Sequence, residues 1–116
     1  MDEIRLIGGE AIAVPADVAD FEQVKAIADK AIQQYGRLDT WVHLAAINLY
    51  AIFEQTTPQE FKRVIDVNLI GQVHGAMAAL PHRSREGRVS LLHVFERRSQ
   101  TFVPISQRLR GIQAWD

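Results

Sequence analysis

GRLDTWVHLAAINLYA, residues 36–51, is the stretch on which the fold turns. Gly36 suits the left-handed position that closes a helix, and Trp41, Val42 and Leu44 form the apolar end of a strand expected over residues 38–44. Upstream, Val24, Ile27, Ala28, Ala31, Ile32 and Tyr35 recur at helical spacing on one face. Asp20 can cap that helix, with Gln23 three residues on in capping-box position. An amphipathic helix feeding a short apolar strand is the repeating unit of a sheet with parallel strands.

Working outward, Thr57-Pro58-Gln59-Glu60 is the strongest local signal in the chain. Threonine caps, proline occupies the first turn where its missing N–H costs nothing, and glutamate at the third position returns a hydrogen bond. A long helix is expected from there to about Leu80, with Phe61, Val64, Ile65, Leu69 and Val73 on its apolar side and Pro81 ending it. Its second half is rich in small residues from Gly71 to Ala79, which let another backbone approach closely. Packing on the sheet and a subunit interface, giving a homo-oligomer through helix 58–80, are equally good readings of that face. A strand after Gly8-Gly9, over residues 11–15, and another over residues 89–94 complete the alternation. The fold class is therefore α/β, and no internal repeat, linker or low-complexity segment interrupts it.

The chain has 116 residues, 47% of them hydrophobic, which suits one domain with a modest core. No apolar run approaches the ~18 residues of a membrane span, and the acidic opening MDEIRLIGGE is unlike a secretory leader, so a cytoplasmic location and no membrane partner are expected. The absence of cysteine excludes disulfides, thiolate metal sites and cysteine nucleophiles. Charge is uneven: residues 1–81 carry 6 Lys and Arg against 11 Asp and Glu, whereas residues 82–116 carry 7 Arg, no Lys and 3 acids. The Arg-rich end lacks interleaved aromatics and a helical stripe, so no nucleic-acid partner is expected.

Three blocks, GGEAIAVPADVAD (8–20), GRLDTWVHLAAINLYA (36–51) and FKRVIDVNLIG (61–71), resemble in order and spacing the central section of a short-chain dehydrogenase/reductase. That family implies a Rossmann fold, NAD or NADP as cofactor, and hydride transfer between alcohols and carbonyls. The resemblance covers residues 1–94. It implies that Asp17 sits beside the adenine ring and accepts from its exocyclic amine, with Val18 against the ring; a loop acid that begins the turn into the next helix is the plainer alternative. His43-Leu44-Ala45-Ala46 stands where the usual Asn-Asn-Ala-Gly meets the cofactor ribose and resembles the His-Leu-Ala-Ala version of the extended branch. Small residues at Ala45 and Ala46 still meet the need for close backbone approach, and His43 replaces an asparagine that steadies the sheet. Asn68 matches the helix asparagine of the catalytic tetrad, which bends the helix and connects to a proton relay. A buried mid-helix asparagine is costly unless its amide is satisfied; polar filling is the alternative. His74, His82 and His93 show no ligand spacing, and no metal site is expected.

The same resemblance stops near Phe95. The serine and the Tyr-x-x-x-Lys that move the proton in the family do not occur in register; Ile105 and Leu109 stand at the tyrosine and lysine positions when Gly111-Ile112 is aligned. Removing one thymine after the Val94 codon in a back-translation with free synonymous codons lets the shifted frame read a serine, a Tyr-x-x-x-Lys and a Gly-Ile at the family's spacing. Residues 95–116 are therefore expected to be an out-of-frame tail, and residues 1–94 a partial Rossmann-like parallel sheet with flanking helices. The Gly-rich phosphate turn is also missing: Gly8-Gly9 precedes a strand rather than following one, so the first βαβ unit is expected to be lacking. Two functions follow as expectations. One is a truncated oxidoreductase, doubtful in cofactor binding and inactive alone; the other is a non-catalytic module that associates with itself or an intact relative.

Overall fold

A computed structural model describes residues 1–82 and 89–93. The chain opens with a short helix α1 (Asp2–Leu6), followed by α2 (Phe21–Tyr35), strand β1 (Thr40–His43), a long helical segment from Pro58 to His82, and strand β2 (Ser90–His93). The long segment consists of α3 (Pro58–Ile65), a wide π turn (Asp66–Ile70), α4 (Gly71–Ala79) and a closing tight turn (Leu80–His82). The two strands pair in parallel, with Thr40 opposite Ser90, Trp41 opposite Leu91, Val42 opposite Leu92 and His43 opposite His93. This is the α/β arrangement that the pattern predicts.

Local chemistry sets the ends of the helices. Asp20 accepts from the N–H groups of Glu22 and Gln23, a cap that stabilises a helix by about 1 kcal/mol. The box does not close on Asp20 as the spacing suggests, because the Asp20 N–H already donates to the Asp17 carbonyl. Gln23 instead reaches back to accept from the Asp17 N–H at 2.9 Å and donates to the Asp20 carboxylate at 3.0 Å. Gly36, with φ 75°, ends α2 and donates to Ile32. At α3 the box is complete: the Glu60 N–H donates to the Thr57 hydroxyl and the Thr57 N–H to the Glu60 carboxylate.

Three expectations are corrected. No strand forms over residues 11–15: a strand exists only by pairing, and among the described residues β1 and β2 alone make the sheet. Gly8-Gly9 closes a helix rather than introducing that strand, with Gly8 at φ 85° and the Gly9 N–H donating to the Ile4 carbonyl. The side of the long helix marked by Phe61, Ile65, Leu69 and Val73 faces outward, and its small-residue side packs inward. The strand over 89–94 is seen at Ser90–His93; Val94 and the expected tail 95–116 lie outside the described residues.

Packing explains the reversal. A β-carbon on Gly71 would lie 2.8 Å from the Val18 side chain, and one on Gly75 would lie 2.7 Å from Trp41 Nε1. Only a helix without side chains at these points can come that close to the sheet and the 16–20 turn. The core beneath is small: Val24, Ala28 and Ala78, bordered by Val18, Phe21, Leu38 and Trp41. The opposite sheet face is bare, with Val42 49% and Leu92 53% exposed.

Candidate functional site

One helix carries Asn68 and touches Asp17, Val18 and His43. Beginning at its N-terminal end, the Arg63 guanidinium donates to Asp17 Oδ2 at 3.0 Å. Asn68 follows in the π turn; its Oδ1 accepts from the Ile47 N–H and its Nδ2 donates to the Ile47 carbonyl, each at 2.8 Å. Gly71 lies against Val18, and His74 Nδ1 stands 2.8 Å from the Val18 carbonyl oxygen. Gly75 lies under His43, with its β-carbon position 3.0 Å from His43 Nδ1.

The π turn has a reason. Widening the helix by one residue there, with the Gly71 N–H donating to the Asp66 carbonyl, breaks the regular ladder at the residue that reaches sideways. Asn68 is half-buried rather than buried, and both ends of its amide are satisfied by one backbone residue. The residue gripped, Ile47, directly follows Ala46, so the amide fixes the path of the chain as it leaves β1. Ala45 and Ala46 are exposed, leaving this turn free of side-chain bulk. Next to it an open groove of about 340 Å³ runs between residues 47–49 and the Gln59, Arg63 and Val64 side of α3.

Asp17 is a well-prepared anion. The Ala19 N–H donates to Oδ1 at 3.0 Å and Arg63 holds Oδ2, and together, the Ala19 bond first, they keep the carboxyl below its ordinary range. Each oxygen retains acceptor capacity beyond these bonds. Val18 is anchored inward, its side chain against Gly71 and its carbonyl on His74, whose ring meets Phe21 at 5.5 Å. His43 is 4% exposed; burial first, and the neighbouring His93 second, push its basicity down, while the Ala45 backbone works the other way. His82 lies 3.5 Å from Asp29 at the far end of the helix. Among the described residues no cluster of three or more His, Asp or Glu is arranged to hold a metal, and no helix is long and apolar enough to cross a membrane.

Arg63, Gly71, His74 and Gly75 were not singled out as site residues by the sequence. The usable signal was spacing: residues 63, 68, 71 and 75 all project from the inward side of a helix whose middle is widened by one residue. The residues present fit the adenosine side of a dinucleotide: an ionised acceptor at Asp17, a fixed apolar neighbour at Val18, and an unobstructed turn at Ala45 and Ala46.

A parallel ladder joined through one helical crossover, with small residues following its first strand, defines an α/β protein of the Rossmann type. The chain belongs to the short-chain dehydrogenase/reductase family: the pattern of the family described as enoyl-(acyl carrier protein) reductase matches residues 2–103. It is 41% identical over 86 residues to an uncharacterized oxidoreductase, YxnA, of Bacillus subtilis, covering 74% of this chain and 24% of that protein. Among solved structures it resembles a 7α-hydroxysteroid dehydrogenase complexed with NADH and 7-oxo glycochenodeoxycholic acid (TM-score 0.73, 27% identity, 80% of this chain and 36% of that one). A short-chain dehydrogenase of Burkholderia cenocepacia in complex with NADP is similar (TM-score 0.70, 28% identity, 78% and 37%). The chain thus spans between about a quarter and three-eighths of the length of these relatives.

Proposed function

We propose that this chain supplies the adenosine-facing wall of a nicotinamide-cofactor site in an oxidoreductase that interconverts alcohols and carbonyls, and that alone it transfers no hydride. The observation that carries the reading is the shared helix, which holds Asp17 through Arg63 and the turn after Ala46 through Asn68. Bound there, NAD or NADP would supply or accept the hydride. Asp17 would accept from the adenine amine, Val18 would lie beside the ring, and Ala45 and Ala46 would let backbone approach the ribose, with His43 stiffening the strand end.

Inactivity rests on residues, not on length. Proton transfer to a carbonyl needs a group poised near neutral pH, such as a tyrosine beside a lysine cation. The chain has two tyrosines, Tyr35 and Tyr50, and the residues four further on are Asp39 and Glu54. Asn68 is therefore the one member of the tetrad in place, and it acts as a positioning residue. Titration of the purified chain with NADH and NADPH, followed by assay of NAD and NADP reduction with alcohols, tests this. Weak or undetectable binding without turnover is expected; micromolar binding or any turnover overturns it.

The second reading, association with another copy, is favoured by the outward face of the long helix. Phe61, Leu69 and Met77 are 54%, 56% and 54% exposed along it, an apolar stripe of the kind that marks an interface. A monodisperse monomer in light scattering would count against it.

A further inference from the structure

We propose that His43 and His93 form a proton-operated latch between β1 and β2, closed while the rings lie together neutral and released when the buried His43 ring takes up a proton. The inference does not depend on the cofactor reading. The two residues are direct partners in the parallel ladder, and their rings lie side by side with centroids 5.9 Å apart and planes tilted by 33°. His43 is nearly sealed from solvent. His43 Nε2 and His93 Nδ1 are both buried without a hydrogen-bond partner among the described residues, as is Nε1 of Trp41 on the same sheet face.

The surroundings offer a cation on His43 one backbone contact, that of Ala45, and no opposite charge. From β2 the group facing His43 is the second imidazole. From α4, whose one ionisable residue is His74, the ring meets Gly75, and His74 is engaged with the Val18 carbonyl. The 44–47 segment carries no ionisable side chain. Helix α2 approaches this face through Val24 and Ala28 beside Trp41, while its Asp29 pairs with Lys25 and His82. Among the described residues neither latch ring has an ion pair with a carboxylate, so a proton on His43 would be a buried charge whose desolvation outweighs the Ala45 backbone bond.

The direction of the pH dependence follows. An unfolded histidine titrates near 6.5, and His43 in the fold is pushed lower, so protons bind the unfolded chain first. The latch's contribution is fully present above about pH 6.5 and is lost as pH falls below it. Asp17, a carboxylate held below its ordinary range, acts only in a more acidic window.

Urea unfolding of the full chain at pH 7.5 and 5.5, together with histidine ring titrations by NMR, tests the latch. The unfolding equilibrium constant should rise by up to about tenfold between the two pH values; His43→Asn should flatten that rise to about threefold or less, and His93→Asn should flatten it only in part, because burial, the larger cause, remains. The His43 ring should also remain neutral below the pH at which an unfolded histidine is half-protonated. An unchanged slope in His43→Asn overturns the latch, as do His43 ring midpoints near 6.5. A chain that lacks cooperative unfolding at pH 7.5 would show such midpoints and count against it equally.

Discussion

Asn68 and Ile47 are joined twice, amide oxygen to backbone N–H and amide nitrogen to backbone carbonyl, each at 2.8 Å. The two bonds turn a side chain into a surrogate strand edge: Ile47 receives from Asn68 the paired donor and acceptor that a neighbouring strand would provide. The chain leaving β1 is thereby held against the helix while Ala45 and Ala46 stay uncovered. The widened turn at Asp66–Ile70 is what lets one helical residue reach that far sideways without ending the helix.

Replacing Asn68 with Ala removes both bonds at a half-buried site and should cost about 1–2 kcal/mol of stability. Asn68→Asp should be no better: one carboxylate oxygen can still accept from the Ile47 N–H, but the other faces the Ile47 carbonyl with no proton to offer. Hydrogen exchange at the Ile47 amide should accelerate in both variants. Unchanged protection there would show that Asn68 does not hold the turn.

Asp17 should titrate below an ordinary aspartate, near 3.9, in carboxyl NMR of the intact chain. Because its folded pKa is depressed, its contribution to stability is present above the unfolded value and lost as pH falls through the folded one. Arg63→Gln should raise the Asp17 midpoint only part of the way, since the Ala19 N–H, the larger cause, remains. Full recovery of the ordinary value would assign the whole effect to Arg63.

The helix ends and the α/β order were legible because capping and periodicity act locally: Asp20, Gly36 and the Thr57–Glu60 box sit where their chemistry requires. The strand at residues 11–15 was not legible, because a strand is made by its neighbours and composition cannot reveal whether one is there. The faces of the long helix were misread for a related reason. Phe61, Ile65, Leu69 and Val73 look like core by hydropathy, but Gly71 and Gly75 permit the closer approach, and the closer face wins the sheet. At the site, Asn68 stood out as a polar residue in mid-helix, whereas its partner is a backbone group that no side-chain pattern announces.

That outward apolar stripe makes association a measurable property of the chain. Leu69→Lys and Met77→Lys place charge on exposed positions that carry none of the core, so each should change stability by no more than about 0.5 kcal/mol. If the stripe is the contact surface, sedimentation velocity should show the parent chain self-associating with concentration and the double variant staying monomeric. Equal association of both proteins would move the contact elsewhere, with the bare sheet face of Val42 and Leu92 as the next surface to test.

Gly75 offers the sharpest test of the inward packing, because two effects of opposite sign compete there. Alanine is preferred to glycine inside a helix by about 1 kcal/mol, so Gly75→Ala would stabilise an unpacked helix. In the fold the new methyl would sit 2.7 Å from Trp41 Nε1 and 3.0 Å from His43 Nδ1, against two rigid rings that cannot yield at their tips. Overpacking of this kind costs about 1–3 kcal/mol, so the net effect should be a loss of stability, with the Trp41 emission shifted as the ring is displaced. Gly71→Ala meets Val18, a stiff β-branched side chain, at 2.8 Å and should behave alike. A gain in stability from either substitution would mean that the helix does not rest on the sheet and the 16–20 turn at these distances, and the site built along that helix would have to be redrawn.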